Sequence, residues 1–405
     1  MVAFWQGRVR EDPQGAIALS NLAGAYMALQ RESGDISYAG KAEQAARLSL
    51  KMLPSHGSTQ LRLSRILLTQ HRFGEALALL QHAREDQAEA QRLKADLLIE
   101  VGDYSGAERA LGLSPPQRED ANFYSLRARL LEVQGQSVSA LADVRTATMQ
   151  AEANIDAAPE SIAWHLWREA RVLVGMNRYA EAVERLKKAL AIFPHDYRVL
   201  NALAHASANT GNWKEAVTWA RRATAIVPEP DTVTLLGDAY AALGQKRQAA
   251  QQFAIVEAIS RLARAKGVIY DRQRALFYAD HGIHLGEAVA LARGELKLRR
   301  DIYTYDTLAW AAYKKGLLPE ARRASAKATA YNTRDASLWY HAGMIAFASG
   351  QRAQAKHDLE KATAINPRFH PTAPSVVRAT LDKMSNAHSR TTPEATARSA
   401  SQPKM

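Results

Sequence analysis

The chain of 405 residues contains no cysteine. This absence excludes disulfides, thiolate metal sites and a cysteine nucleophile. No run of about 18 apolar residues occurs, so no membrane-spanning helix is predicted. The first residues, MVAFWQGRVREDP, lack the apolar core of a secretion signal. We therefore expect a soluble protein, cytoplasmic as the chain stands, or periplasmic or otherwise extracytoplasmic if a signal has been removed.

Signatures of catalysis are also missing. The chain contains no GxGxxG, GxxxxGK[ST], HExxH or GxSxG motif. Asp280, His281 and His284 form the nearest cluster of metal-ligating types, but their sequence, ADHGIH, is more typical of a turn between helices. No cofactor and no metal are implied. An enzyme would need a domain outside the repeats described next, and only short segments remain for one, so we predict a non-catalytic protein.

One phrase occurs twice in succession. Residues 176–194 read MNRYAEAVERLKKALAIFP, and residues 210–228 read TGNWKEAVTWARRATAIVP. The same small residue recurs along the chain at intervals of 34, 31, 33, 42, 34, 33, 39, 33 and 34 residues. Such a period is the signature of a repeat architecture. These alanines, which we call the repeat alanines, are Ala42, Ala76, Ala107, Ala140, Ala182, Ala216, Ala249, Ala288, Ala321 and Ala355.

Each repeat has the pattern of two helices. Apolar and small residues recur in steps of three and four, with almost no strand-like alternation. Glycines such as Gly211 and Gly244 precede the repeat alanine by five residues, where they can end the first helix. Prolines such as Pro194 and Pro228 follow it by twelve residues and stop the second helix. A small side chain at the repeat alanine lets two helix axes approach closely.

These residues resemble the tetratricopeptide repeat, whose pattern LLGDAYAALGQ (235–245) and GNWKEAVTWARRATAIVP follow closely. DIYTYDTLAWAAYKKG and INPRFHP also resemble a bacterial subgroup with many repeats and no assigned role. The resemblance implies an all-α, right-handed superhelical solenoid of about ten helix-turn-helix repeats. Such arrays bind peptides on the concave surface formed by the first helices.

The departures from the period define the expected organisation. We predict an N-terminal capping helix in 1–13, the solenoid in 14–369, a C-terminal capping helix in 370–385 and a disordered tail in 386–405. The 42-residue interval marks a candidate seam near 149–160. RESGDIS, which adds about seven residues to the first repeat, is expected to form a protruding loop.

The concave stripe follows from helical spacing. The positions 18, 15, 11, 8 and 7 residues before each repeat alanine lie on one side of the first helix, opposite the packing positions. The stripe is rich in arginine in the first half and aromatic in the last units. The candidate partner-binding residues are Arg65, Arg92, Arg129, Trp164, Trp167, Arg171, Arg198, Asn201, His205, Asn209, Tyr303, Asp306, Trp310, Tyr313, Tyr340, Met344 and Phe347.

Two functions fit this surface. The first is a non-catalytic scaffold that binds a protein or peptide segment, with acidic groups and apolar anchors, by means of arginines and aromatic side chains. The alternative is RNA binding, because the net charge is +12 and arginine alternates with tryptophan. The aromatic residues of 303–347 could also be buried by superhelix curvature or by the C-terminal segment, and core packing competes with binding for Trp164 and Trp167. The sequence leaves the partner and the oligomeric state open.

Overall fold

The computed structural model describes residues 1–81, 87–113, 119–265 and 271–389. Within these ranges the chain forms 22 helices and no strand. Twenty of them form ten consecutive pairs, which we number units 1 to 10, and one further helix lies at each end. The predicted all-α solenoid of about ten helix pairs is confirmed. Among the described residues, no helix combines the length and the apolar character needed to cross a membrane.

The helix bounds follow the repeat. The helix before the units is α1 (Val2–Glu11), and the helix after them is α22 (Ala373–Ser389). The first helices of units 1 to 10 are α2 (Ala16–Ser33), α4 (Gly57–Thr69), α6 (Gln87–Val101), α8 (Ala121–Val133), α10 (Pro159–Gly175), α12 (Tyr197–Asn209), α14 (Pro230–Ala242), α16 (Asp271–His281), α18 (Ile302–Lys314) and α20 (Ala336–Ala348). The second helices are α3 (Ser37–Met52), α5 (Phe73–Leu80), α7 (Tyr104–Gly112), α9 (Ser137–Ala153), α11 (Tyr179–Ile192), α13 (Trp213–Ile226), α15 (Lys246–Ala265), α17 (Leu285–Glu295), α19 (Leu318–Ala328) and α21 (Arg352–Ile365).

The core lies between the two helices of each unit and between neighbouring units. All ten repeat alanines are buried, as the close-approach argument requires. Fully buried leucines, including Leu63, Leu166, Leu186 and Leu200, fill the space around them. Because each unit covers only part of its apolar surface by itself, its stability depends on its neighbours.

Each unit contains a residue with positive φ in the segment that joins its two helices, and unit 8 contains a second one, His284. We call this segment the inner turn. In units 1, 3 and 4 the residue is glycine, and in units 2 and 5 it is His71 and Asn177. The left-handed conformation stops the first helix and redirects the chain, and glycine adopts it without a Cβ clash. In units 6 to 10 it is Gly211, Gly244, Gly282, Gly316 and Gly350.

The superhelix stacks on itself. We call the segment between one unit and the next a junction. The backbone N–H of Arg300, in the junction after unit 8, donates to the carbonyl of Val101 at the inner turn of unit 3 (3.0 Å). Thr333 Oγ1, after unit 9, donates to the carbonyl of Glu132 in unit 4 (3.0 Å). The inner turn of a unit therefore meets the junction that follows the unit five places later.

The same relation holds at both ends of the stack. Unit 5 meets the junction after unit 10. Asn366 Nδ2 of this junction donates to the carbonyl of Val174 in unit 5 (2.9 Å), and the Tyr179 hydroxyl of unit 5 donates to the carbonyl of Arg368 (2.6 Å). In unit 1 the inner turn contacts Val227, in the junction after unit 6. Units 1 to 5 thus form a first superhelical turn, and units 6 to 10 form a second turn that rests directly on it.

This stacking corrects the prediction for RESGDIS. The segment does not protrude: α2 continues to Ser33, only three residues separate it from α3, and Gly34 lies against Val227. The extra residues lengthen the first helix because the unit must reach the second superhelical turn. Near 149–160 the added residues lengthen α9 and α10, and one hydrophobic cluster contains both Val144 and Leu166, so the core is continuous there.

The helices at the two ends differ in detail from the expected boundaries. Helix α1 packs its apolar residues, such as Trp5, against unit 1. Helix α22 ends at Ser389, so it extends four residues into the segment predicted to be disordered. The remainder of that tail, 390–405, lies outside the described residues, as does the segment 266–270 after α15.

The stacking can be tested with two glycines that share one backbone conformation. A Cβ at Gly102 (φ +85°) would lie 2.6 Å from the backbone of Arg300, whereas a Cβ at Gly211 (φ +81°) would meet nothing within 4 Å. Both alanine variants incur the cost of positive φ, about 1–2 kcal/mol. We expect Gly102→Ala to lose a further 1–3 kcal/mol, roughly, because overpacking separates the superhelical turns.

Urea unfolding would measure the difference between Gly102→Ala and Gly211→Ala, and small-angle scattering would measure the radius of gyration. Only Gly102→Ala should expand the folded molecule. Equal destabilisation by the two variants, without expansion, would show that the superhelical turns do not support each other.

Candidate functional site

The first helices of successive units line the concave face. Helices α10, α12, α14, α16, α18 and α20 each contact the next one in this series, as do α4, α6 and α8. Five of the stripe residues that the sequence indicated border one cavity, described below. Because the two superhelical turns are stacked, the concave face encloses an interior space instead of an open groove.

From α4 to α12, arginines join neighbouring first helices. Arg65 pairs with Glu89 (2.9 Å), and Arg129 bridges Asp96 and Glu100. Further along, Arg168 pairs with Glu132 (2.7 Å), Arg198 pairs with Glu160 (2.9 Å) and Arg92 pairs with Asp120 (3.3 Å). Four of the predicted binding residues, Arg65, Arg92, Arg129 and Arg198, thus hold adjacent units together.

In the second superhelical turn, the same position is taken by pairs in which aspartate accepts. His205 Nε2 lies 3.0 Å from Asp231, and His281 Nε2 lies 2.9 Å from Asp238. Trp310 donates from Nε1 to Asp280 (2.7 Å), and His341 Nδ1 lies 2.9 Å from Asp306. Every first helix from α12 to α20 is joined to the next by one such pair. We call the whole series of pairs, from Arg65 to His341, the concave ladder.

The aspartates change the protonation of their partners. Burial lowers the pKa of His341, but attraction to Asp306 and the hydrogen bond between them outweigh it, so the net pKa is raised. Burial also lowers the pKa of His205, but the charge of Asp231 and the hydrogen bond to it outweigh this effect, so the net pKa of His205 is raised. Burial would raise the pKa of Asp231, but His205 and Asn201 lower it to about 2. The His205–Asp231 pair is therefore charged on both sides at mildly acidic pH.

The aromatic stripe of the last units is not an open binding surface. Trp310 is only 5% exposed, and its ring stacks on His341 with centroids 4.0 Å apart. Tyr313 stacks on Trp310, and Tyr340 packs against both Trp310 and Phe369 of the C-terminal segment. The expectation of a free aromatic anchor is wrong for Trp310: side chains of α16, α18 and α20 bury it, and the C-terminal segment packs on Tyr340.

The other predicted residues of this region are also engaged. Asp306 is buried in the ladder, and the Thr380 hydroxyl of α22 lies 3.9 Å from Met344 Sδ. Phe347 is half-buried. Asn209 donates from Nδ2 to the Tyr179 hydroxyl (3.3 Å) and to the carbonyl of Phe369 (3.4 Å), so it belongs to the stacking contact.

An interior cavity of about 590 Å³ remains open. It lies between α10 of the first superhelical turn and α12, α16, α18 and the 333–337 segment of the second. A smaller cavity of about 360 Å³ adjoins it and shares Arg171, Arg272 and Tyr303 among its lining residues. The predicted residues that border the larger cavity are Trp167, Arg171, Asn201, His205 and Tyr303.

Arg171 stands apart from the ladder. It is exposed, its guanidinium lies over the Trp167 ring (5.2 Å to the centroid), and it makes no ion pair within the part of the chain that the structure describes. Trp164 packs on the other side, with its ring centroid 6.5 Å from that of Trp167. Trp167 and Tyr303 are each partly exposed. These side chains form the least committed part of the concave face.

Sequence reasoning missed Arg272, Arg334 and Phe369, which also border the cavity. Arg272 faces Asp301 at 3.6 Å, in a helix that begins next to residues outside the described ranges. Arg334 and Phe369 lie in junctions, where the stripe rule for first helices does not apply. Only the stacking of the two superhelical turns brings them to the cavity.

Comparison with known families agrees with this architecture. Residues 67–130 and 173–233 match one family model described as tetratricopeptide repeat, and residues 336–369 match a second model with the same description. The chain is a tetratricopeptide repeat protein. Proteins of this class mediate protein–protein interactions and act as scaffolds, and their families are generally non-catalytic.

Several solved structures are similar to this tetratricopeptide repeat protein at low identity. The Cut9–Hcn1 hetero-tetramer of the APC/C has 12% identity and a TM-score of 0.36, covering 94% of this chain and 92% of that chain. Yeast Tom70 has 12% identity and a TM-score of 0.38, covering 96% of this chain and 95% of that chain. A tetratricopeptide repeat protein from Parabacteroides merdae has 19% identity and a TM-score of 0.36, covering 66% of this chain and 99% of that chain. No curated protein matches the chain.

The buried position of Trp310 leads to a prediction about stability. Trp310→Ala should lower the free energy of unfolding by about 3–5 kcal/mol, because it removes a large core side chain. Tyr303→Ala, on the same helix but 37% exposed, should cost much less. Thermal unfolding of both variants would check this. If Trp310→Ala melted like the parent protein, the burial of Trp310 would be refuted.

The second half of the ladder should respond to pH. Because the pKa of His341 is raised in the folded protein, its contribution is complete below pH 6.5, about the unfolded pKa, and is lost as pH rises through the folded pKa. The slope in that window is at most about 1.4 kcal/mol per pH unit for this histidine. Hydrogen exchange, corrected for its intrinsic pH dependence, should show α18 and α20 opening more readily at pH 9 than at pH 6.

The arginine pairs of α8 and α10 should give no such change over this range, which provides an internal control. His341→Gln should remove part of the pH dependence. An equal response of both superhelical turns would contradict the assignment.

Proposed function

We propose that this tetratricopeptide repeat protein is a non-catalytic scaffold that binds a segment of a partner protein on its concave face, at the cavity bordered by Trp167, Arg171 and Tyr303. One observation carries the proposal most directly. This cluster is the part of the predicted stripe whose aromatic and cationic groups border open space, while most of the other members join neighbouring units. The binding surface would therefore be smaller than the full stripe and would lie in its middle.

The chemistry of the cluster suits a peptide. An aromatic ring beneath a guanidinium gives an apolar contact area, and the edge of the guanidinium still has N–H donors for a carboxylate or a backbone carbonyl. Asn201 and His205 lie on the next first helix and border the same cavity. Aromatic and arginine side chains that remain partly exposed are common energetic centres of protein interfaces.

The size of the space limits the ligand. A volume of about 590 Å³ is within the range of typical ligand pockets and suits a few residues of an extended chain. A folded domain would not fit between the two superhelical turns. We therefore expect a flexible loop or terminal segment of the partner to enter the cavity.

RNA binding has less support on this face. Binding of a polyanion requires cations that are free to neutralise phosphates. Along the ladder, Arg65, Arg92, Arg129, Arg168 and Arg198 each already pair with a carboxylate. Arg272 has Asp301 near it as well. The excess positive charge of the chain does not lie on the concave ladder.

Selection from a random peptide library on the full chain would test the proposal without knowledge of the partner. Peptides that bind should lose at least about tenfold in affinity, or about 1.4 kcal/mol, with Arg171→Ala and with Tyr303→Ala. Lys187→Ala is a matched control, because Lys187 is exposed on α11, a second helix, away from the cavity lining.

Peptides whose binding is unaffected by both cavity variants would refute this site. A homopolymeric RNA at low salt serves as the competing ligand. Micromolar RNA affinity that falls steeply with salt would favour the RNA-binding function instead.

A further inference from the structure

The stacking contact uses two kinds of edge. In the described residues, one edge consists of the inner turns of units 1, 3, 4 and 5, and the other consists of the junctions after units 6, 8, 9 and 10. Where they meet, an added Cβ at Gly102 would lie 2.6 Å from Arg300, and one at Gly135 would lie 2.5 Å from the carbonyl oxygen of Asn332. Each of these glycines is covered by the backbone of the opposite superhelical turn.

A second inner-turn edge is uncovered. It consists of the inner turns of units 6 to 10. A Cβ added at any of the glycines there would meet nothing within 4 Å. Positive φ alone explains why these residues are glycine. The relevant fact is that the same turn structure is buried in one superhelical turn and bare in the other. The five residues are Gly211, Gly244, Gly282, Gly316 and Gly350.

A second junction edge is uncovered as well, at the opposite end of the stack. Its described residues, in the junctions after units 1 and 4 and at the end of α7, display large apolar side chains to solvent. Ile155, in the junction after unit 4, is 97% exposed, and Leu113, after α7, is 68% exposed. Leu53, after unit 1, is 40% exposed. The molecule therefore has two free edges, of the same two kinds that bind each other inside it.

We propose that these free edges bind each other between two copies of this chain, so that the junction after unit 4 in one copy docks on the inner turn of unit 9 in another. The occupant is a second copy because the contact would continue an interface that the chain already makes with itself. This association is independent of the proposed cavity function, since neither edge includes Trp167, Arg171 or Tyr303.

The internal register fixes which residues would meet. Inside the chain, the inner turn of unit 4 holds the junction after unit 9, with Asn332 four residues before α20 begins. Continuing the count, the inner turn of unit 9 in one copy would hold the junction after unit 4 of the next. Ile155, which lies four residues before α10, would then lie against Gly316.

The charges at this predicted contact are complementary. Asp156 follows Ile155, and Lys315 precedes Gly316. Both side chains are exposed, and neither forms an ion pair within the described ranges. An Asp156–Lys315 pair across the contact would orient the two copies.

Because the two edges differ, the contact would be head-to-tail. Such a heterologous contact leaves one free edge at each end and permits further addition, in contrast to a closed two-fold dimer. The average mass should therefore rise gradually with protein concentration instead of levelling at twice 44.5 kDa.

Sedimentation velocity over a concentration series would test the association. Asp156→Lys and Lys315→Glu should each weaken it at least tenfold at low salt, because each places like charges opposite one another. The double variant Asp156→Lys/Lys315→Glu should recover association, since the charges are then exchanged across the contact. Both residues are exposed, so the melting temperature should not change.

The absence of cysteine allows a direct test of the register. In the variant Ile155→Cys/Lys315→Cys, a short bis-maleimide should link copies into a ladder of covalent multimers. Ile155→Cys/Lys187→Cys is the control, because Lys187 lies on α11 and not on either edge. A monomer at all concentrations, no recovery in the charge exchange, or equal cross-linking of the control pair would each overturn the proposal.

Discussion

The contact between an inner turn and the junction five units later is the constraint on which the rest of this structure depends. A solenoid whose units touch only their neighbours has an open groove and can flex along its length. Here backbone hydrogen bonds such as Arg300 N–H to the carbonyl of Val101 connect residues about 200 positions apart. They join the two superhelical turns and convert the concave groove into an enclosed interior.

Contacts between neighbouring units decide the role of most concave side chains. Arg129 and Arg168 bind carboxylates of the preceding unit. Trp310 is buried against His341 of the next unit and Tyr313 of its own helix. The same stripe thus supplies both the links between units and a small remaining surface around Arg171. The two halves of the concave ladder also differ in their response to pH, because arginine pairs persist across physiological pH whereas histidine pairs titrate.

The repeat alanines and turn glycines were the residues from which the fold could be predicted. Their intervals fixed the number of units and most helix boundaries, because close helix packing and positive φ restrict those positions to a few residue types. The stripe positions also came out on one face, since helical periodicity is local. The exposure of Trp310 and the loop at RESGDIS were predicted wrongly. Gly34 contacts Val227, which is far away in the chain. Trp310 is buried by side chains of the adjacent units, such as His341, whose placement the repeat period does not specify.

The sequence by itself therefore determined the architecture: ten helix pairs, their packing alanines and the surface that faces inward. These features rest on local sterics and on contacts with the next repeat, both of which leave a period in the sequence. Only the tertiary structure decided which inward side chains are free. That outcome depends on how far the superhelix rotates per unit, and small rotations at each helix crossing accumulate over five units before the two superhelical turns meet. Trp310 is buried by the units next to it. The cavity beside Arg171, in contrast, is lined by residues of both superhelical turns, and no single repeat records the summed rotation that brings them together.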